Sequence, residues 1–321
     1  MVASILSFVV VIALFLLLAW LTRRLWRVRN PGLRWLGVIV FGLLTAVVGL
    51  VTVVALVGAA RLNLPQSNPV PDATVAGTPE QIARGERLVN ICAGCHSTTL
   101  APPLDGSGEN FVPEFGTLYP PNLTPYHLGD WSDGEIVRAI REGVGRDGRA
   151  LLIMPSSQFR HMSDDDVQSV VAFLRSQPSV DRDVPETSMN VLGSALVGAG
   201  MFPTSVQPPI TEPIIAPPLS DAVNHGEYLV NITGCRECHG ADLTGGVPGG
   251  FTPVGPNLRA VVPNWSAEDF INTIRTGVTP EGNELDPAEM PWPEVSRMYS
   301  DEELQTIYEY IRQLGPTAST E

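Results

Sequence analysis

All four cysteines of the 321-residue chain fall in two five-residue blocks, Cys92-Ala93-Gly94-Cys95-His96 and Cys235-Arg236-Glu237-Cys238-His239. Both blocks read C-x-x-C-H, the spacing used for covalent attachment of haem c. Two thiols three positions apart on one turn can each bond a vinyl group of the same porphyrin. The adjacent His then stands beneath the iron as its ligand. The two blocks predict two covalently bound haem c groups, with iron held by His96 and His239, and no Cys is left for a disulfide. A single zinc site with four Cys ligands is the competing chemistry. It would join the blocks across a linker of unrelated sequence and give neither His a purpose. A redox-active dithiol would want a βαβ setting, which the sequence lacks.

An iron that carries electrons without binding anything needs a second axial ligand. Met154, in Met154-Pro155, and Met290, in Met290-Pro291-Trp292, lie at matching positions downstream of the two blocks. A thioether is a soft, weak ligand that favours ferrous iron and raises the potential. Met162 and Met298 compete, but each stands just before a helix N-cap, where an apolar residue serves as a staple. His161 is faced by Arg297 in the second copy, while His127 and His225 lack counterparts and read as surface or packing residues. A ligating His donates its other ring N–H to a fixed acceptor. The carbonyls of Pro121 and Pro256 are the candidates, in Pro121-Asn122-Leu123 and Pro256-Asn257-Leu258. Arg141 and Arg275 also recur; they can pair with haem propionates or, equally, form ordinary salt bridges.

These residues sit in a duplicated frame. Arg84-Gly85-Glu86-Arg87-Leu88-Val89-Asn90-Ile91 returns as His225-Gly226-Glu227-Tyr228-Leu229-Val230-Asn231-Ile232, and Trp131-Ser132 returns as Trp265-Ser266. A period this long, present twice, means a duplicated domain rather than a stacked array. Each copy reads as all-helical. Thr78 with Gln81 and Ser132 with Glu135 form capping boxes, and Ser163 and Ser300 start the last helices with acidic first turns. Long Gly- and Pro-rich loops at 101–125 and 240–263 lie between the helices, and loops of that length must wrap something. The expected organisation is a linker at 62–77, one domain at 78–180, a Pro-rich linker at 181–219 with an apolar patch at 191–201, a second domain at 220–315, and a disordered tail at 316–321.

The first 61 residues are different. Two uncharged apolar runs, about 3–21 and 36–60, are each long enough to cross a bilayer as a helix. Five Arg lie between them (Arg23, Arg24, Arg27, Arg29 and Arg34), with Trp20, Trp26 and Trp35 around them. That charge pattern places the loop in the cytoplasm, and both termini and both domains outside. A cleaved leader would carry its positive charges before the apolar run, not after it. The chain has no Lys, and beyond Arg61 it holds 14 Arg against 34 Asp plus Glu, a net charge of −20. Such a surface excludes nucleic acid and suits redox protein partners with a basic docking face.

Each copy resembles a class I cytochrome c domain, with an N-terminal helix, C-x-x-C-H, Pro-Asn-Leu, Met-Pro and a terminal aromatic helix in that order. The pair is similar to the multihaem cytochrome c subunits of bacterial membrane-bound dehydrogenases and to dihaem cytochromes of respiratory chains. In that fold the first and last helices cross closely, which matches Gly85 and Gly226 to the small position of the crossing and Phe173 and Tyr310 to the aromatic one. The resemblance implies an all-α protein: a transmembrane two-helix hairpin, then two tandem domains. It also implies electron transfer from a quinol-oxidising complex or dehydrogenase to a terminal oxidase or other acceptor, with no small-molecule substrate. The alternatives are a dihaem enzyme, peroxidase-like or thiosulfate-oxidising, and a subunit integral to a larger membrane complex.

Overall fold

A computed structural model describes residues 2–246 and 253–315. The 316–321 tail and part of the 240–263 loop lie outside the described residues.

Helices α1 (Val2–Leu25) and α2 (Pro31–Asn63) form an antiparallel hairpin. They run further than the apolar stretches 3–21 and 36–60. Asn30 accepts hydrogen bonds from the Gly32 and Leu33 N–H groups, and Pro31 in the first turn is pre-set for the helix, so α2 begins before its apolar run. Phe15 packs on Gly49 and Leu25 on Gly37, while Trp26 and Trp35 meet edge to face at the turn. Both helices are long and apolar enough to cross a membrane. Their apolar side chains point outward, with Leu43 63% and Leu50 65% exposed.

The first domain contains α3 (Pro79–Leu88), α4 (Asn90–His96), α5 (Pro125–Leu128), α6 (Asp133–Glu142), α7 (Ser156–Phe159) and α8 (Asp164–Ser176). After it comes α9 (Val191–Gly198), inside the Pro-rich segment. The second domain contains α10 (Ala222–Thr233), α11 (Cys235–His239), α12 (Leu258–Val261), α13 (Ala267–Thr276), α14 (Trp292–Met298) and α15 (Asp301–Leu314). Complete capping boxes start α3, α6, α13 and α15, from Thr78, Ser132, Ser266 and Ser300. Among the described residues the strand content is one two-residue ladder, β1 (Gly116–Thr117) antiparallel to β2 (Ser188–Met189).

The first and last helix of each domain cross at glycine. A Cβ on Gly85 would lie 1.9 Å from the Ser169 carbonyl oxygen and 2.8 Å from the Phe173 Cβ; one on Gly226 would lie 2.0 Å from the Thr306 oxygen and 2.9 Å from the Tyr310 Cβ. Only a residue without a side chain lets α3 meet α8, and α10 meet α15, at this distance.

The Pro-rich segment is held along the first domain. Glu142, buried, accepts from the Asn68 side chain at 2.6 Å and the Ile210 N–H at 2.9 Å. Asn122 donates to the carbonyls of Val180 and Arg182, and Arg182 donates to those of Gly106 and Ser107. A separate apolar cluster of Leu62, Val112, Leu118, Met189, Val197 and Phe202 joins the end of α2, the first domain and the segment after it.

One continuous hydrophobic core runs through both domains. Arg84 donates to Asp166 of its own domain at 2.8 Å and, across the domain boundary, to Glu303 at 2.5 Å, and Arg87 reaches Glu303 at 3.0 Å. Tyr228 returns the contact, its hydroxyl donating to Asp166 at 2.5 Å. Burial pushes the Glu303 carboxyl up, but the Ser300 N–H and the two guanidinium groups outweigh it and hold Glu303 below the usual carboxylate range. A depressed folded value means that the clamp contributes fully at neutral pH and is lost as pH falls through that value. Glu303→Gln is therefore expected to cost about 2 kcal/mol, less than a fully buried pair, because Arg87 stays partly exposed. It should also flatten the acid limb of a stability–pH curve. Denaturant melts of wild type and variant between pH 3 and 7 (the span around ordinary carboxylate values) check both.

Candidate haem sites

The short helix α4 carries Cys92, Cys95 and His96, and α11 carries Cys235, Cys238 and His239. His96 Nδ1 lies 2.8 Å from the Pro121 oxygen, and His239 Nδ1 lies 2.8 Å from the Pro256 oxygen. A carbonyl can only accept, so each ring carries its proton on Nδ1 and leaves the Nε2 lone pair for a metal. Burial pushes both imidazoles below their usual range, against the opposing carbonyl bonds, which favours the neutral ring that ligation requires. Burial also raises the Cys92 thiol to about 12 and the Cys235 thiol to about 11. These are neutral thiols suited to addition across a vinyl group, not preformed thiolates.

Cys92, Cys95, His96, Pro121 and Met154 all line one cavity of about 1300 Å³ in the first domain. Its remaining wall includes the apolar side chains Leu123, Ile136, Ile140, Phe159 and Leu174. A large apolar chamber with two thiols, a neutral imidazole and a thioether in its walls fits a covalently bound porphyrin. Met154 is half-buried, and the residue before it, Ile153, has φ 63°, a conformation costly for a β-branched side chain. Strain of this kind accumulates where a side chain must be held in place for function. Met290 is half-buried against the core that also receives Cys235. Met162 touches the cavity too, but it and Met298 are 1% and 0% exposed within the core. Among the described residues no three His, Cys, Asp or Glu side chains cluster as metal ligands, so the two Cys pairs do not meet in a zinc site.

Arg141 and Arg275 each make an ion pair within their own domain, and Arg141 also keeps Nε and Nη2 buried without a partner. Arg141 is buried, gives Nη1 to Asp164 at 2.7 Å, and does not line the cavity. Arg275 donates to the carbonyls of Ser296 and Tyr299 and to Asp301. Arg141 ties α6, and Arg275 ties α13, to the acidic first turn of the last helix of the same domain. The guanidinium groups that do line the cavity are Arg146, Arg149 and Arg182.

The two sites face each other across the domain boundary, which the sequence did not signal. Gln158 in α7, four residues after Met154, donates to the Ile232 carbonyl at 2.8 Å and packs on Gly234, directly before the second attachment block. In return Arg297 in α14, seven residues after Met290, donates to the Asn90 side chain at 2.9 Å at the start of α4. Thr233 of the second domain lines the first domain's cavity and shares a 2.7 Å hydrogen bond with the Tyr299 hydroxyl. Ser4, Ile5, Phe8, Ala59 and Leu62 line the same cavity from the open end of the hairpin.

A compact helical domain with a C-x-x-C-H helix, a His–Pro carbonyl bond and a glycine crossing of first and last helices, present twice, defines a tandem c-type cytochrome. Residues 82–178 match the family described as Cytochrome c, and residues 221–311 match Cytochrome C oxidase, cbb3-type, subunit III. The chain thus carries two cytochrome c domains, built for covalent haem c. It is 29% identical to a dihaem cytochrome c-type protein of Cereibacter sphaeroides, over 81% of this chain and 95% of that protein. It is 28% identical to the cytochrome c subunit of the quinone alcohol dehydrogenase of Gluconobacter oxydans, over 61% of this chain and 47% of that subunit. It is 33% identical to one subunit of the nicotinate dehydrogenase of Pseudomonas putida, over 58% of this chain but only 17% of that protein. The chain therefore spans less than half of either dehydrogenase relative.

Proposed function

We propose that the chain is a membrane-anchored dihaem electron carrier. His96 and Met154 would hold one iron, and His239 and Met290 the other. The observation that carries this reading is the reciprocal facing of the two sites. Each domain sets the helix that follows its candidate Met ligand against the haem-attachment region of the other, so the two sites are coupled through one packed interface. With both axial positions filled, neither iron offers a place for a substrate, which separates this reading from a peroxidase or a thiosulfate-oxidising enzyme. The hairpin would cross the membrane with its Arg-rich turn inside and both domains outside. The names of the relatives support a donor that is a dehydrogenase, with this chain as its cytochrome partner, and the acidic surface suits a basic acceptor.

The test mixes the detergent-purified, reduced protein with a one-electron protein acceptor and, separately, with hydrogen peroxide or thiosulfate. Fast oxidation of both haems by the acceptor, falling as salt rises, with no sustained peroxide or thiosulfate turnover, is the expected result. Steady turnover of either small molecule would transfer the chain to the enzyme class.

A further inference from the structure

The Pro-rich segment contains an uncharged run from Thr187 to Thr211, in a region otherwise dense in acidic residues. Its centre is α9, whose sequence Val-Leu-Gly-Ser-Ala-Leu-Val-Gly is apolar on all sides, which a surface helix of a soluble domain is not. One side of α9 presses on α2. A Cβ on Gly58 would lie 1.8 Å from the Ser194 oxygen, and one on Gly198 would lie 2.0 Å from the Val54 oxygen. Arg61 adds hydrogen bonds to the carbonyls of Val197 and Gly198, and Ser7 of α1 accepts from the Val191 N–H at 3.1 Å. A second side meets the first domain, where Gly193 lies against the Phe115 carbonyl. The third side is bare: Leu192 is 54% and the following Met201 66% exposed.

The height of this contact decides what covers the bare side. Helix α2 has 33 residues, so it is about 50 Å long, against about 30 Å of hydrocarbon. With Arg34 and Trp35 at the inner interface, the hydrocarbon ends about 20 residues later, close to Ala55. The contacts of α9 with α2 run from Val54 to Arg61, across that boundary. Gly198 stands at that boundary beside Val54, and Ser194, beside Gly58, about 5 Å further out, so the bare side of α9 begins where the outward-facing apolar surface of the hairpin ends. The part of the chain beyond Arg61, with net charge −20, gains nothing from anionic headgroups, so its hold on the bilayer surface must be apolar.

We infer that α9 is a third membrane-seated element, its Gly198 end and Met201 entering the outer leaflet at the level of Val54 and Leu192 lying among the headgroups. It rests on the hairpin reading and adds to it: the first haem domain is seated on the lipid surface rather than carried above it on a flexible tether.

All four native cysteines belong to the attachment motifs, so Cys introduced at residue 201 is a unique thiol for a nitroxide label in the haem-loaded protein. Met201→Cys is labelled in lipid nanodiscs, with Leu43→Cys as the hairpin reference and Val278→Cys as the aqueous one. Relaxation by oxygen is compared with relaxation by a water-soluble nickel chelate, on the reduced protein, where low-spin irons are diamagnetic. The expected result is oxygen-dominated relaxation at 201, like that at 43, with at least several-fold protection from nickel relative to 278. Nickel access at 201 equal to that at 278, with 43 still protected, overturns the insertion of α9 and leaves the hairpin standing. Nickel access at 43 overturns the hairpin itself, and the proposal with it.

Discussion

Met290→Ala is expected to give a protein that, once reduced, binds one carbon monoxide per chain, whereas the unaltered protein binds none. Alanine cannot reach the iron, so the sixth position opens at one haem and stays closed at the other. Met154→Ala should open the first haem in the same way, and the double variant should bind two. Loss of the thioether also removes the ligand that favours ferrous iron, so the potential of the altered haem should fall. Met298→Ala separates this from simple damage. That side chain is fully buried, so its loss should cost about 2–5 kcal/mol through the cavity left behind, yet both haems should stay closed. Carbon monoxide difference spectra with a count of bound ligand check the whole series. A Met290→Ala protein that stays closed while Met298→Ala opens would exchange the two residues' roles.

Gly226→Ala is expected to unfold the second domain at ordinary temperatures or to cost at least about 3 kcal/mol, although alanine is the better helix former. The propensity gain in α10 is about 1 kcal/mol. Against it stands a methyl placed 2.0 Å from the Thr306 carbonyl oxygen and 2.9 Å from the Tyr310 Cβ. Overpacking commonly costs about 1–3 kcal/mol when a side chain can give way. Here the obstacle is backbone, so α10 and α15 must separate. Because α10 leads directly into the second attachment block, their separation should also lower haem incorporation there. Gly85→Ala should do the same to the first domain. Thermal melts followed at the haem absorption, with haem counted per chain by mass spectrometry, give both quantities.

What was legible in the chain is local chemistry and its repetition. The boxes at Thr78–Gln81 and Ser132–Glu135 depend on residues three apart, and Ser163 and Ser300 lead acidic first turns, so the sequence alone places those helix starts. The C-x-x-C-H blocks are legible for the same reason, and comparing the two copies singled out the Met-Pro and Pro-Asn-Leu positions. What was not legible depends on residues far apart in the chain. Nothing near Arg141 says that its guanidinium will meet Asp164; the meeting of α6 and α8 brings the two together. The facing of Gln158 and Ile232, and of Arg297 and Asn90, arises from the docking of two domains whose contact residues differ between the copies. The patch at 191–201 looks like a sticky spot in a linker until Gly58 and Gly198 bring α9 onto α2. The ends of the hairpin helices moved because Asn30 and Pro31 act as cap and first turn, a local signal that the hydropathy pattern conceals.

Two closed, covalently held haems leave a direct spectral signature. The absorption spectrum of the purified protein is recorded oxidised, reduced, and reduced under carbon monoxide, with haem c counted per chain. Two haem c per chain, a long-wavelength methionine–iron charge-transfer band when oxidised, and no change on adding carbon monoxide are the expected result. One haem per chain, or a carbon monoxide shift in the unaltered protein, would contradict it.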